Sequence, residues 1–165
     1  MGELIAVADA GPLIHLSEIK RLDALAIFNK IFVPPEVNRE VRRLSKGIPL
    51  LRLQKLGIKE KNLAAWIAVR YELDIGEAEA ITLCKTKKIK LLLTDDLDAR
   101  IAAESEGLEA HGSIGILLRA FREGFLTHNQ TIKSLQNLES ESSLFITHSL
   151  IQQAIKAVKK YRKEK

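Results

Sequence analysis

The sequence predicts an α/β domain of three layers, with helices on both faces of a mostly parallel central sheet. Three observations predict it. The apolar runs at 4–8, 31–33 and 90–93 are short and continuous rather than alternating, as in strands buried on both faces. Stretches of helical periodicity separate them, and a strand–helix–strand order calls for right-handed crossovers that place helices on both sides. Two of the runs end in acid: Leu4–Ala8 runs into Asp9, and Lys90–Thr94 into Asp95 and Asp96. Parallel strands deliver functional groups at their carboxyl edge, so these acids belong at the mouth of a crevice.

Taken in order, residues 3–9 form the first strand. Asp9-Ala10-Gly11-Pro12 turns into a helix, with Pro12 suited to its first position and Leu13, Ile14, Leu16 and Ile19 on its apolar face. Leu22, Leu25, Ala26 and Phe28 start a second helix. Ile31-Phe32-Val33 is a strand closed by Pro34-Pro35, which cannot donate to a ladder. The next helix runs from Glu36 to about Ser45, and Gly47 and Pro49 mark a loop. Residues 50–58 fit a short strand or a helical turn, and Leu63–Tyr71 a helix. Asp74-Ile75-Gly76-Glu77 signals a helix start, and the small residues up to Thr86 let that helix lie close to the sheet. After strand 89–94, Leu97–Glu106 is helical and Gly107 ends it. Leu108 to Ala110 or His111 is a last short strand. Ser113 reads as the N-cap of a helix over Ile114–Glu123, stopped by Gly124. Residues 129–138 are helical, Glu139–Ser143 is a polar break and Leu144–Ile146 is extended. Thr147 caps a final helix with an apolar stripe of Leu150, Ile151, Ala154, Ile155 and Val158. Such a stripe packs on its own domain or forms a contact with a partner chain. The whole, residues 1–165, reads as a single domain, with a core at about 3–125 and a helical extension at about 128–165.

Composition narrows the function. The chain is 46% apolar and 28% charged, ordinary for a folded domain. Its net charge of +5 favours polyanionic partners such as nucleic acid. Cys84 is the single cysteine, which excludes an intramolecular disulfide and a cysteine-rich zinc site. No run approaches the ~20 apolar residues of a membrane span, and no signal peptide is evident, so a cytoplasmic location is expected.

The acids have structural readings beside functional ones. Asp9, and Asp95 or Asp96, can cap the helices that follow them. Yet Asp95, Asp96 and Asp98 exceed what one cap needs. Glu77 suits a helix dipole; Glu79 stands about 200° around the helix from it and is assigned to solvent. Glu40, beside arginines, reads as a surface ion pair. Gathered together, such acids repel one another, and hard divalent ions taking oxygen ligands relieve that repulsion.

The blocks Val7–Ile14, Val33–Val41, Leu73–Ile81, Leu91–Asp96 with Ala99-Arg100, and Gly112–Gly115 resemble, in this order, the PIN-domain family, in particular its branch related to toxin ribonucleases. The resemblance implies a three-layer PIN-like domain and an acidic pocket for Mg2+ or Mn2+. It implies metal-dependent cleavage of RNA to a 5′-phosphate product, a cognate antitoxin protein and a homodimer. Carried over by motif, Asp9, Glu40, Glu77 and Asp95 are the catalytic acids. Asp9, Glu77 and Asp95 ligate the metal, with Asp96 a close substitute for Asp95, and Glu40 acts through water. Relatives place serine or threonine where this chain has Gly11. That departure motivates the alternative of a non-catalytic PIN-like module binding nucleic acid or protein. A phosphatase with an aspartyl nucleophile is a more distant reading, since Gly11 also occupies the place of its second aspartate.

Overall fold

In the computed structural model, residues 2–44 and 51–161 are described. The three continuous apolar runs form β1 (Ile5–Ala8), β2 (Lys30–Val33) and β4 (Leu91–Leu93), and the described residues add the edge strands β3 (Leu51–Leu53) and β5 (Glu109–His111). All pair in parallel, in the order β3-β2-β1-β4-β5. The sheet is therefore wholly, not mostly, parallel. The chain winds outward from β1 to one edge through β2 and β3, then returns to the other side through β4 and β5. The carboxyl ends of β1 and β4 thus flank the switch point, where a crevice opens in sheets of this kind.

Strand residues alternate between two cores. Ala6, Ala8, Ile31, Val33, Leu91 and Leu93 face one side. There they meet α1 (Ala10–Glu18), α2 (Pro35–Val41), α6 (Ser113–Arg122), α7 (His128–Ser140) and α8 (His148–Lys160). Val7 and Leu92 face the other side, against α3 (Ile58–Tyr71), α4 (Ile75–Thr86) and α5 (Leu97–Ser105). Two apolar faces explain why the central strands β1 and β4 carry no polar alternation.

Several local expectations change. Residues 22–27 form a 3-10 turn rather than an α-helix. Pro12 is the third residue of α1, because Asp9 itself caps the helix through Ala10 N–H. Pro35, not Glu36, opens α2, which ends at Val41. The loop assigned to Gly47 and Pro49 lies outside the described residues. Leu51–Leu53 is a strand, and Gly57 caps α3, which begins five residues before Leu63. Gly112 rather than Ser113 is the N-cap of α6. Four of the five residues in the stripe of α8, Ile151, Ala154, Ile155 and Val158, are buried in the domain's own core, whereas Leu150 is exposed. Among the described residues no helix is long and apolar enough to cross a membrane.

Candidate metal centre

Asp9 follows β1 and Thr94–Asp96 follow β4, and the ladder between those strands brings them side by side. Asp9 N–H donates to Leu93 O at 2.9 Å. Thr94, fully buried, ties the acids together. Its hydroxyl donates to Asp9 Oδ2 and accepts from Asp96 N–H, both at 3.2 Å. Asp9 Oδ1 accepts from Ala10 N–H at 2.8 Å, and Asp96 Oδ1 caps α5 through Ala99 N–H at 2.8 Å. The capping roles suggested by sequence are real, and each occupies one oxygen of its carboxylate.

Helix α4 supplies Glu77 and Asp74 through a reciprocal cap. Asp74 Oδ1 accepts from Glu77 N–H at 2.8 Å, and Glu77 Oε2 accepts from Asp74 N–H at 3.1 Å. Glu40 arrives from α2. Arg39 pairs with Glu36 at 2.9 Å, leaving Glu40 to reach toward α4. A methyl group built on Gly76 would lie 3.5 Å from both Glu40 Oε1 and Asp74 Oδ1, so the two carboxylates stand on the same side of the helix start.

Asp95 is held more firmly than the others. Ser113 donates to it twice, from N–H to Oδ1 and from the hydroxyl to Oδ2, each at 2.6 Å. His15 Nδ1 stands 2.7 Å from Oδ2. The Ser113 hydroxyl, expected to cap α6, is instead spent on Asp95.

These side chains converge on one cavity of about 330 Å³. Asp9, Glu40, Asp74, Glu77, Asp95 and Asp96 line it, with His15 and, among the described residues, without any lysine or arginine. All five acids singled out by sequence are there. Asp74, read as a helix-start signal, is a sixth; its cap role hid it. His15 had no spacing signal, since its partner lies 80 residues away. Glu79, assigned to solvent, is instead half-buried with an unpaired Oε2.

The electrostatics register the crowding. Burial, then the charges of Asp74 and Glu40, push Asp9 from 3.8 up to about 6. Burial, then Asp74, Asp96 and Asp9, push Glu77 from 4.5 up to about 7. Glu40 is also raised, by burial and by Asp74 and Glu36. Hard oxygen donors with uncompensated negative charge fit a divalent cation of the Mg2+ or Mn2+ kind. In position the donors are splayed: among the described residues, no three stand ready to hold one ion. Their oxygens are turned onto helix N–H groups, as carboxylates that repel one another will do.

A family model described as a PIN domain matches residues 5–160. No curated protein matches the sequence.

Proposed function

The chain belongs to the PIN-domain family, whose members are generally nucleases that use divalent metals, and from that premise we propose that it is a metal-dependent endoribonuclease. The observation that carries the proposal is the lining of the acidic cavity. Acids from the end of β1, α2, the start of α4 and the β4–α5 turn meet there, among the described residues without a basic residue other than His15.

In this reading Asp9, Glu77, Asp95 and Asp96 would hold Mg2+ or Mn2+. The bound ion lowers the pKa of water and stabilises charge on the phosphoryl oxygens. The chain's own residues do the rest. Thr94 fixes Asp9 relative to Asp96. Ser113 and His15 lock the orientation of Asp95. Glu40, at the outer side of the cavity, positions the attacking water. Arg100, at the edge beyond Asp95, holds the RNA backbone.

The test is RNA cleavage with and without EDTA, beside Asp9→Asn and Asp95→Asn. Asparagine keeps the shape of Asp9 and removes its charge. Cleavage is expected to fall on the order of 10²-fold or more, with an unchanged circular dichroism spectrum. Undiminished cleavage by folded Asp9→Asn, or cleavage indifferent to EDTA, defeats the proposal.

The finer reading is the toxin of a toxin–antitoxin pair, restrained by a cognate antitoxin protein and acting as a homodimer. Exposed Trp66 and Val69 of α3 and Leu97 and Ile101 of α5 supply apolar surface for self-association. Helix α8 offers less, since four residues of its stripe are already covered and only Leu150 is exposed.

One observation favours a second reading, a module that binds without cleaving. Both oxygens of Asp95 already have hydrogen-bond partners inside the protein, Ser113 on each and His15 on Oδ2. Gly11 adds no hydroxyl, although a methyl group there would stand at ordinary contact distances of 3.5–3.8 Å from its neighbours. Mn2+ that binds without any RNA turnover supports this alternative.

A further inference from the structure

A second cavity, of about 410 Å³, opens beside the acidic one. The two share Asp95, Leu144 and Phe145 as a common wall. Its character is different. Ile114, Ile146 and Leu150 give it an apolar side, Arg100 a basic one, and His111 an imidazole. Arg100 has no carboxylate partner within ion-pair distance among the described residues. Arg119 and Arg100 also bear on His111, which burial and their charge hold below its ordinary range.

The common wall is the extended segment before α8. It is pinned at its start, where Glu18 accepts from Ser143 N–H at 3.2 Å and from its hydroxyl at 2.7 Å. Leu144 and Ile146 turn inward and pack on the core. Phe145, between them, turns outward and is 97% exposed. An anchored backbone thus presents a bare phenyl ring to solvent where the two cavities meet, which packing does not require.

We propose that this second cavity is a subsite for one unpaired nucleotide of the RNA strand, adjacent to the phosphate seated in the acidic cavity. The inference rests on the nuclease reading for its register, but its own observations are the ring, the apolar wall and the unpartnered guanidinium. The nucleobase stacks on Phe145 against the apolar wall, and Arg100 takes a neighbouring backbone phosphate. Stacking is indifferent to base identity but demands a free base face, so the site selects single strands over duplex. A cavity of this size lies within the range of about 300–1,000 Å³ that holds small ligands.

The experiment measures equilibrium binding of a fluorescent single-stranded RNA oligonucleotide in Ca2+, which neutralises the acidic cavity, with the length of the oligonucleotide checked after each titration. Wild type, Phe145→Ala, Phe145→Trp and Arg100→Gln are compared, and abasic sites are scanned through the oligonucleotide. Phe145→Ala is expected to weaken binding about tenfold, with Phe145→Trp restoring it. At one position, an abasic site should cost wild type a similar factor and cost Phe145→Ala nothing further. Arg100→Gln should weaken binding and flatten its salt dependence. Phe145→Ala binding within twofold of wild type, or equal losses on single strands and duplex, overturns the subsite. Phe145 is exposed, so its truncation does not threaten the fold. The two proposals fail separately. Phe145-dependent binding by a protein that never cleaves sustains the subsite and removes the nuclease. Cleavage by a protein whose binding ignores Phe145 does the reverse.

Discussion

A methyl group at Gly112 would stand 2.6 Å from Asp95 Oδ1 and 3.2 Å from both Arg100 Nη2 and Thr94 O. The first neighbour is a carboxylate held by His15 and Ser113, and the last is backbone, so neither yields cheaply. Gly112→Ala should therefore destabilise the fold by about 1–3 kcal/mol, as overpacking does, and displace Asp95 from its partners. Urea unfolding checks the first effect, and the loss of Mn2+ affinity the second. A variant with wild-type stability and affinity would show that Asp95 is less tightly seated than its short contacts indicate. Gly112 was legible only as part of the Gly112–Gly115 block at a helix start, because the requirement for a bare backbone comes from a carboxylate 17 positions earlier in the chain. The same distance hid His15. Asp9, Asp95 and Asp96 were legible because they sit directly after apolar strands, where the local sequence itself says which edge they occupy. Asp74 was visible and misread: its part in the reciprocal cap was taken as the whole of its role, whereas one carboxylate oxygen caps and the charge still acts on Glu77.

Elements were legible where a strong local cause ends them. Proline closes β2, Asp74 opens α4 with a reciprocal cap, and Thr147 opens α8. They were illegible where length and packing decide. The stretch 22–27 has helical spacing but settles as a 3-10 turn. Helix α3 starts at Ile58, whose side chain is exposed, so no apolar periodicity marks its first turns. Helix α8 shows the opposite case: its stripe was plain, but sequence could not say what covers it. The structure answers with α6, α7 and the first core. Ile151, 1% exposed, should then behave as a core residue. Ile151→Ala is expected to cost about 2–4 kcal/mol in urea unfolding while leaving the mass by light scattering unchanged. A change in mass without loss of stability would return the stripe to a partner chain.

Across the whole molecule, net positive charge and local negative charge are kept apart. The chain carries +5 overall, yet the cavity at the switch point gathers six carboxylates. A cationic body draws in a polyanion, and the acidic pocket then needs its own cations before a phosphate can enter. The cost of the unneutralised pocket should be measurable as stability. Glu77 titrates ordinarily at 4.5 and is raised to about 7 in the folded protein. Below the ordinary value it is protonated both folded and unfolded, and contributes no penalty. As pH rises through the window between these values, the unfolded chain gives up its proton while the fold retains it, so stability is lost progressively until the folded group ionises. Asp9 acts in the same direction, from 3.8 to about 6. Glu77→Gln cannot ionise, and glutamine at the third helical position preserves the reciprocal cap. The metal-free variant should therefore unfold at a higher temperature than wild type at about pH 8, with the difference shrinking to nothing toward pH 4.5. Mn2+ should raise the melting temperature of wild type at high pH and do much less for the variant, because the ion neutralises a charge that the variant lacks. Equal stabilisation of both by Mn2+, or a wild type more stable than Glu77→Gln at high pH, would mean that the acids are not held together against their own repulsion, and the cavity would lose its claim to be a metal site.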